Sequence, residues 1–244
     1  AILGSFMIMA VVLVLSLPVA MAQAAEQQVD RTVVADPRGS VSISNVSGRV
    51  EVQGWSRPEV QVTGRLGASI ERIDVLRDGS NTVVKVVVPR VNISGHGGDA
   101  QLLVRVPAGS RAEVSTVSAD LVVSGLQGAQ SLRTVSGDIS TELAAAECEI
   151  KTVSGDLTLR GIGQPAPLRI STVSGDLRLL HAAGNVEIVT VSGDMTLDIK
   201  PLVNLRVRTT SGDMHIESRL ARDARVDIEA VSGDVFLDSP AEAG

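Results

Sequence analysis

A five-residue pattern, Thr-Val-Ser-Gly-Asp, recurs along this chain and constrains its fold more than any other feature. From Ser118 onward the serine of the pattern recurs every 18 to 21 residues. A near-fixed period of this length indicates one structural unit stacked many times, because a single unit cannot bury its apolar face alone. Complete and variant copies begin at Asn45, Thr116, Thr134, Thr152, Thr172, Thr190, Thr209 and Ala230.

Apolar residues alternate on both sides of each copy. They stand four and two places before the threonine, as in Cys148 and Ile150, and one and three places after the aspartate, as in Leu157 and Leu159. The two runs differ in parity, so the alternation must slip once inside the pattern, by a bend or a bulge. Glycine tolerates positive φ and is the natural hinge. Ala119 stands at that place in the second copy, so positive φ is not expected to be obligatory there.

Each unit is therefore interpreted as strand, corner, strand and short return loop. The sequence predicts an all-β fold, a parallel β-solenoid (β-helix-like) of stacked 18–21-residue coils with a less regular β-rich N-terminal part. An aromatic content of 1% suits a thin aliphatic core. Upstream we expect a polar leading segment at 27–36, strands at 40–53, 60–63, 69–76, 82–88 and 101–106, and a hairpin turn at 77–80. No stretch shows a convincing helical period, and residues 218–224 are expected to form one turn at most.

The chain begins with an uncharged stretch, residues 1–24, that holds an apolar run from Phe6 to Leu17 followed by Pro18. Small residues alternate after the proline, which is typical of a secretory signal peptide; an uncleaved membrane anchor is the alternative. The predicted organisation is a signal peptide at 1–24, an irregular β region with the first coil at 25–110, regular solenoid repeats at 111–239 and a tail at 240–244. The predicted location is exported, in the periplasm or at the cell surface of a bacterium.

Cys148 is the single cysteine. It cannot form an internal disulfide, and its place in the inward frame with Ile150 predicts a small buried core residue. The alternative is a reactive thiol or an intermolecular bridge.

The serine, glycine and aspartate of the pattern are predicted to be structural corner residues, with Asp and Ser side chains bonded to the backbone of their own turn. The alternative is a cation ladder, since stacked carboxylates attract a hard metal such as calcium. A calcium β-roll, however, needs Gly-Gly-x-Gly-x-Asp at both corners, so we expect neither a metal nor another cofactor. The predicted corner residues are Ser118, Asp120, Ser136, Gly137, Asp138, Ser154, Gly155, Asp156, Ser174, Gly175, Asp176, Ser192, Gly193, Asp194, Ser211, Gly212, Asp213, Ser232, Gly233 and Asp234.

A polysaccharide-active β-helix enzyme is the alternative function. Such an enzyme gathers one pair of acids between long loops, whereas here the acids recur in every coil and the return loops are short. His96, His181 and His215 show no metal-ligand spacing, and we expect no catalytic activity. The formal charge of −6 and the lack of a basic patch with interleaved aromatics exclude nucleic acid as an expected partner.

The order of features resembles a known bacterial domain. An apolar leader is followed by an alternating strand through residues 50–60, a turn at residues 106–110 and the train of repeats; Arg49, Ala119 and Thr210 are the departures. This resembles the bacterial β-strand-repeat domain of unknown function that is labelled "putative adhesin". The resemblance implies an exported, non-enzymatic envelope or surface protein that binds or acts as a scaffold, and it supplies no catalytic residues.

The expected partner is an unknown envelope or surface component, protein or glycan, with membrane contact only through an uncleaved signal segment. The outward residues two places after the aspartates form a mixed polar strip that ends in Phe236. Phe236 is expected either to pack under the tail or to mark an open end that permits end-to-end self-association.

Overall fold

A computed structural model describes residues 27–89 and 99–239, which form strands and turns without any helix. No helix with the length and hydrophobicity of a membrane span occurs in these two ranges. The predicted signal peptide at 1–24, the tail at 240–244 and most of a predicted loop at 95–99 lie outside the described residues. The strands are β1 (Gln27–Val34), β2 (Ser40–Ser44), β3 (Ser47–Trp55), β4 (Glu59–Leu66), β5 (Arg72–Asp78), β6 (Asn81–Val87), β7 (Ala100–Pro107), β8 (Arg111–Ser115), β9 (Ser118–Ser124), β10 (Gln130–Arg133), β11 (Ile139–Leu143), β12 (Cys148–Lys151), β13 (Leu157–Gly161), β14 (Ala166–Ser171), β15 (Leu177–Val189), β16 (Met195–Thr209), β17 (Met214–Ala230) and β18 (Val235–Asp238).

The strand pairings fall into two ladders, which we call sheet A and sheet B. Sheet A holds the strands that precede each corner, in the order β5-β6-β2-β8-β10-β12-β14 and then the second halves of β15, β16 and β17. Sheet B holds the strands that follow each corner, in the order β1-β4-β7-β3-β9-β11-β13, the first halves of β15 to β17, and β18. In the strand orders just given, all pairings are parallel from β6 onward in sheet A and from β7 onward in sheet B. The fold is the predicted β-solenoid.

The core is a continuous column of aliphatic side chains between the two sheets. In the coil around Thr152, Cys148 and Ile150 point inward before the corner and Leu157 and Leu159 point inward after it. Thr152 is buried as well, whereas Asp156 faces solvent. The alternation therefore changes parity within the corner, as the apolar pattern predicted.

The N-terminal part is built out of chain order. The coil formed by β2 and β3 lies between the coil of β8 and β9 on one side and that of β6 and β7 on the other. Antiparallel strands β5, β4 and β1 then close this end. The predicted hairpin at 77–80 is confirmed, because β5 and β6 pair antiparallel on either side of it.

Two segments differ from their predictions. Residues 27–34 were expected to be a polar leading segment, but they form strand β1, whose half-buried Val29 and Val33 face the core side of its antiparallel partner β4. Residues 218–224 were expected to form one helical turn at most, but they continue strand β17. Within this segment Ser218 and Leu220 pair with Ile199 and Leu202 of β16, and the register of the two strands shifts between Leu220 and Arg225.

Candidate functional site

The corner glycines hold a conformation that only glycine adopts readily. Their φ angles lie between 115° and 130° from Gly137 to Gly233, in the region where a Cβ atom is strained. At Gly155 an added methyl group would also collide with the backbone carbonyl oxygen of Gly137 in the neighbouring coil. Ala119 does not share the positive φ, which confirms that positive φ is not obligatory at this place. Glycine thus permits both the bend and the close stacking of corners.

In five copies of the pattern the threonine side chain bonds to its own corner, whereas the buried Thr116 Oγ1 has no hydrogen-bond partner within the described part of the chain. Thr152 Oγ1 donates a hydrogen bond to the carbonyl oxygen of Ser154, at 3.1 Å. In the first copy, Asn45 replaces threonine, and its side-chain amide donates to Ser47 O at 3.0 Å. The sequence reasoning left these residues out of the corner set, although their fixed place before each Ser-Gly was a visible signal. The same bond is made by Thr134, Thr172, Thr190 and Thr209.

Each corner aspartate from Asp120 to Asp213 bonds to the next coil. Asp156 Oδ1 accepts the backbone N–H of Asp176 at 3.0 Å, and Asp176 Oδ1 in turn accepts the N–H of Asp194 at 3.0 Å. Equivalent bonds of 2.9–3.1 Å link the whole row from Asp120 to Asp234. The prediction that these aspartates bond their own turn is therefore wrong. Because the coils stack in register, each carboxylate lies level with the backbone N–H of the aspartate in the next coil. It accepts a hydrogen bond from this N–H, which is not part of the regular β-ladder.

Three corner serines, Ser136, Ser154 and Ser174, also contact the preceding coil through their hydroxyl groups. Ser154 Oγ reaches the carbonyl oxygen of Val135 at 3.5 Å, and Ser174 Oγ reaches that of Val153 at 3.4 Å. Ser136 Oγ lies 3.2 Å from Ser118 Oγ. These distances are at the long limit for hydroxyl hydrogen bonds, so each contributes little. Their partners lie in the preceding coil, which corrects the expected bond within the same turn.

The corner side chains do not converge into a metal-binding site. Within residues 27–89 and 99–239, no three His, Cys, Asp or Glu side chains converge as metal ligands. His215 lies on the outer face of sheet B, at the strip that ends in Phe236, and His181 lies at the opposite, return-loop edge. His96 is outside the described residues.

The valines of the patterns form an exposed row, which we call the valine ridge. Each side chain points away from the core at its corner, and one valine follows another at the coil spacing of about 4.8 Å. The exposed fractions lie between 36% and 50%, except at the last coil, where the fraction is 83%. Thr210 takes one place in the row. The ridge comprises Val46, Val117, Val135, Val153, Val173, Val191 and Val231.

The outer face of sheet A carries ion pairs between neighbouring coils. Arg169 lies 3.3 Å from Glu147 and 3.5 Å from Glu187. A hydrogen bond from Lys151, 2.7 Å from Glu149, lowers the pKa of that carboxyl. These side chains are largely solvent-exposed, so they tie the coils together only weakly.

The return-loop edge holds the least regular part of the described solenoid. His181 has a positive φ of 54°, and the pairing between β15 and β16 shifts register beside it. The Asp198 carboxylate accepts the His181 backbone N–H at 3.3 Å and lies 3.2 Å from Lys200 Nζ. Hydrogen bonds to Glu217 and Asp198 raise the pKa of Lys200. An open depression of about 370 Å³ lies between these residues and Ile162.

Cys148 is buried, as its position in the apolar pattern predicted. Burial raises the pKa of its thiol to about 12. At neutral pH the side chain is therefore a protonated, apolar part of the core.

Comparison with known proteins identifies the family of the chain and a solved structure with a similar fold. The family model described as Toastrack DUF4097 matches residues 25–243. A Bacteroides fragilis structure described as a "putative adhesin" has a TM-score of 0.61 at 11% identity, over 88% of this chain and 99% of that chain. A Parabacteroides merdae structure with the same description has a TM-score of 0.40 at 13% identity, over 87% and 96% of the two chains. The first of these likenesses shows a shared fold. No functionally curated protein matches the sequence.

Proposed function

Because the chain belongs to the Toastrack DUF4097 family, we propose that it is an exported β-solenoid of the bacterial envelope or surface. In this proposal it binds or scaffolds another envelope or surface component, in the manner of an adhesin, and catalyses no reaction. The description of the Bacteroides fragilis protein of the same fold as a "putative adhesin" supports this class of function.

The bonding of the corner aspartates is the observation that carries the proposal. These are the most regularly repeated polar side chains of the chain, and each places a carboxylate oxygen on the amide of the next coil. A carboxylate used in this way in every coil stabilises a rod and does not form a unique acid–base pair. The repeats therefore serve as a rigid support, and binding falls to the surfaces that the support displays.

The valine ridge is the surface that we assign to binding. Isolated exposed apolar side chains are ordinary, but a contiguous apolar row marks an interaction surface. Its side chains are already ordered by the corners, so a partner does not have to fix them on binding, which lowers the entropic cost. Because the ridge presents one valine per coil from Val117 to Val191, it suits a partner with an extended apolar edge.

Cell fractionation with protease treatment of intact cells tests the location. Cleavage of the tagged protein on intact cells places it at the surface and supports adhesion. Protection until the outer layer is opened places it in the periplasm and supports a scaffold role. Recovery in the cytoplasm, uncleaved and inaccessible after opening of the outer layer, would refute the proposal.

Substitution on the ridge tests the binding surface. A variant with Val135, Val153 and Val173 changed to Ser is expected to lose most retention on the sedimented envelope fraction of the producing bacterium. The matched control changes Ser140, Thr158 and Thr196, exposed residues of sheet B, to Ala and is expected to retain binding. Equal retention by both folded variants would show that the ridge is not the binding surface.

A further inference from the structure

The two ends of the solenoid are built differently. At the N-terminal end, antiparallel strands β1, β4 and β5 cover the first coils, and Leu66 and Ile70 are buried there. The outermost strands carry charged side chains, including Arg72, Asp74 and Arg77. Charged outer strands are a common way in which proteins prevent a sheet edge from pairing with another chain.

The C-terminal end has no such cover among the described residues. Val235 and Leu237 occupy inward positions of the last coil, yet 41% and 46% of their surfaces are exposed. Their counterparts one coil earlier, Met214 and Ile216, are completely buried. The C-terminal end face consists of the outer edges of β18 and of residues 218–230 of β17, with inward residues that are exposed or, at Ile228, only partly buried: Leu220, Val226, Ile228, Val235 and Leu237.

Hydrogen-bonding groups at this face also lack, among the described residues, the partners that they have in earlier coils. In every earlier coil the carboxylate of the corner aspartate accepts an amide from the coil that follows, and the last such bond runs from Asp234 N–H to Asp213. The coil that would supply an amide to the Asp234 carboxylate is not among the described residues. Strand β18, and β17 over residues 218–230, each have a described neighbouring strand on one side only.

We propose that the C-terminal end face docks against the same face of a second copy of this chain, giving a two-fold symmetric dimer. Among the described residues, no further strand pairs with the outer edge of β18. The N-terminal end of a second copy does not fit, because it is closed by charged antiparallel strands. Like ends meeting about a two-fold axis form a closed, isologous contact.

The geometry of the edges suits this contact. A two-fold axis perpendicular to the strands makes each edge antiparallel to its copy, so pairing extends both sheets. Pairing of β17 centred on Asp227 would place Val226 opposite Ile228 and Arg225 opposite Glu229 of the second copy. Asp227 would face its own copy, and Arg206, 3.3 Å from Asp227, supplies a counter-ion in each chain.

The size of the face sets the strength of the dimer. Two strand edges of four to six residues, about 10 Å apart, bury roughly 1,000 Å² in total, near the lower limit of specific interfaces. We therefore expect a dimer that dissociates at micromolar concentrations.

Sedimentation of the purified protein from roughly 1 µM to 500 µM tests the proposal. The native chain is expected to shift from monomer to dimer and to form nothing larger. Leu237→Lys is expected to remain monomeric, because it would bury a charge within the contact. The matched control, Leu76→Lys on the exposed side of β5, is expected to dimerise as the native chain does. Monomer throughout the range, or equal dimerisation by both folded variants, would overturn the proposal.

Cross-linking distinguishes this dimer from a head-to-tail chain. Phe236→Cys places a thiol on β18, and Arg72→Cys places one on β5 at the other end. Cys148 is buried in the native fold and does not compete. A short thiol-specific cross-linker is expected to join Phe236→Cys chains to one another. Preferential joining of Phe236→Cys to Arg72→Cys in a mixture would show head-to-tail stacking and refute the isologous contact.

Discussion

The aspartate row makes a prediction that separates a hydrogen bond from a charge. Asp176 accepts the N–H of Asp194 at 3.0 Å, and its own N–H is bonded to Asp156. Asp176→Ala removes the acceptor and the charge together. Asp176→Asn removes the charge but keeps an oxygen that can accept the same amide.

The magnitudes follow from two opposing effects. A hydrogen bond to a charged acceptor contributes about 1.5–3 kcal/mol, with exposed bonds at the lower end. Carboxylates of adjacent coils, ~4.8 Å apart, repel by about 0.9 kcal/mol in water and by roughly 0.5 kcal/mol at physiological salt. Removing one charge between two neighbours therefore regains about 1 kcal/mol. We expect Asp176→Ala to lower the free energy of unfolding by about 0.5–2 kcal/mol and Asp176→Asn to leave it within about 0.5 kcal/mol.

Urea unfolding followed by circular dichroism measures both variants against the native chain. Added salt should stabilise the native chain relative to Asp176→Asn, because salt screens the repulsion that the native chain alone retains. At every salt concentration, the native chain and Asp176→Asn should both have a higher free energy of unfolding than Asp176→Ala. An alanine variant as stable as the asparagine variant would show that the bond between coils contributes nothing, and the reasoning would fail.

Three further predictions concern single residues. In urea unfolding, Gly155→Ala should lower the free energy of unfolding by at least about 3 kcal/mol, because the methyl group strains the backbone and collides with a neighbouring carbonyl oxygen. The control Gly163→Ala also has positive φ but lies in open space, and it should lower that free energy by only about 1–2 kcal/mol. Equal losses would contradict the stacking argument. Cys148, with a thiol pKa of about 12, should resist iodoacetamide at pH 8 until the chain is unfolded; rapid labelling of the folded chain would contradict its burial. The free energy of unfolding should fall as pH rises above about 9, because the thiol loses its proton at lower pH in the unfolded chain than in the folded chain. Arg169→Met should change stability by less than about 1 kcal/mol despite two ion pairs, because the side chain is exposed; a larger loss in thermal unfolding would show a stronger network.

The regular coils could be predicted from the sequence because one alternation repeats many times. The inward positions of Cys148 and Leu157, and the change of parity between them, follow from the period of apolar residues alone. The order of the N-terminal strands could not be predicted in this way. The sequences of β6 and β7 do not indicate that these strands pair with the earlier strands β2 and β3, because pairing partners depend on tertiary contacts.

The chemistry of the corners was only partly predictable. The spacing of the aspartates shows that they stack, but whether Asp176 bonds its own turn or the next coil depends on the heights of carboxylate and amide. These heights are set by the positive φ of Gly175 and by the coil stacking. The C-terminal end face was foreseen only through Phe236, because exposure of Leu237 depends on what covers the last coil.

The role of the aspartate row is tested most directly by thermal unfolding in EDTA and in calcium. The native chain is compared with a variant in which Asp156, Asp176 and Asp194 are all Asn. If backbone amides satisfy the carboxylates, the melting temperature of each protein should be the same in both solutions to within about 2 °C. A native chain that melts several degrees higher in calcium, with that gain lost in the variant, would show that a bound cation holds the row.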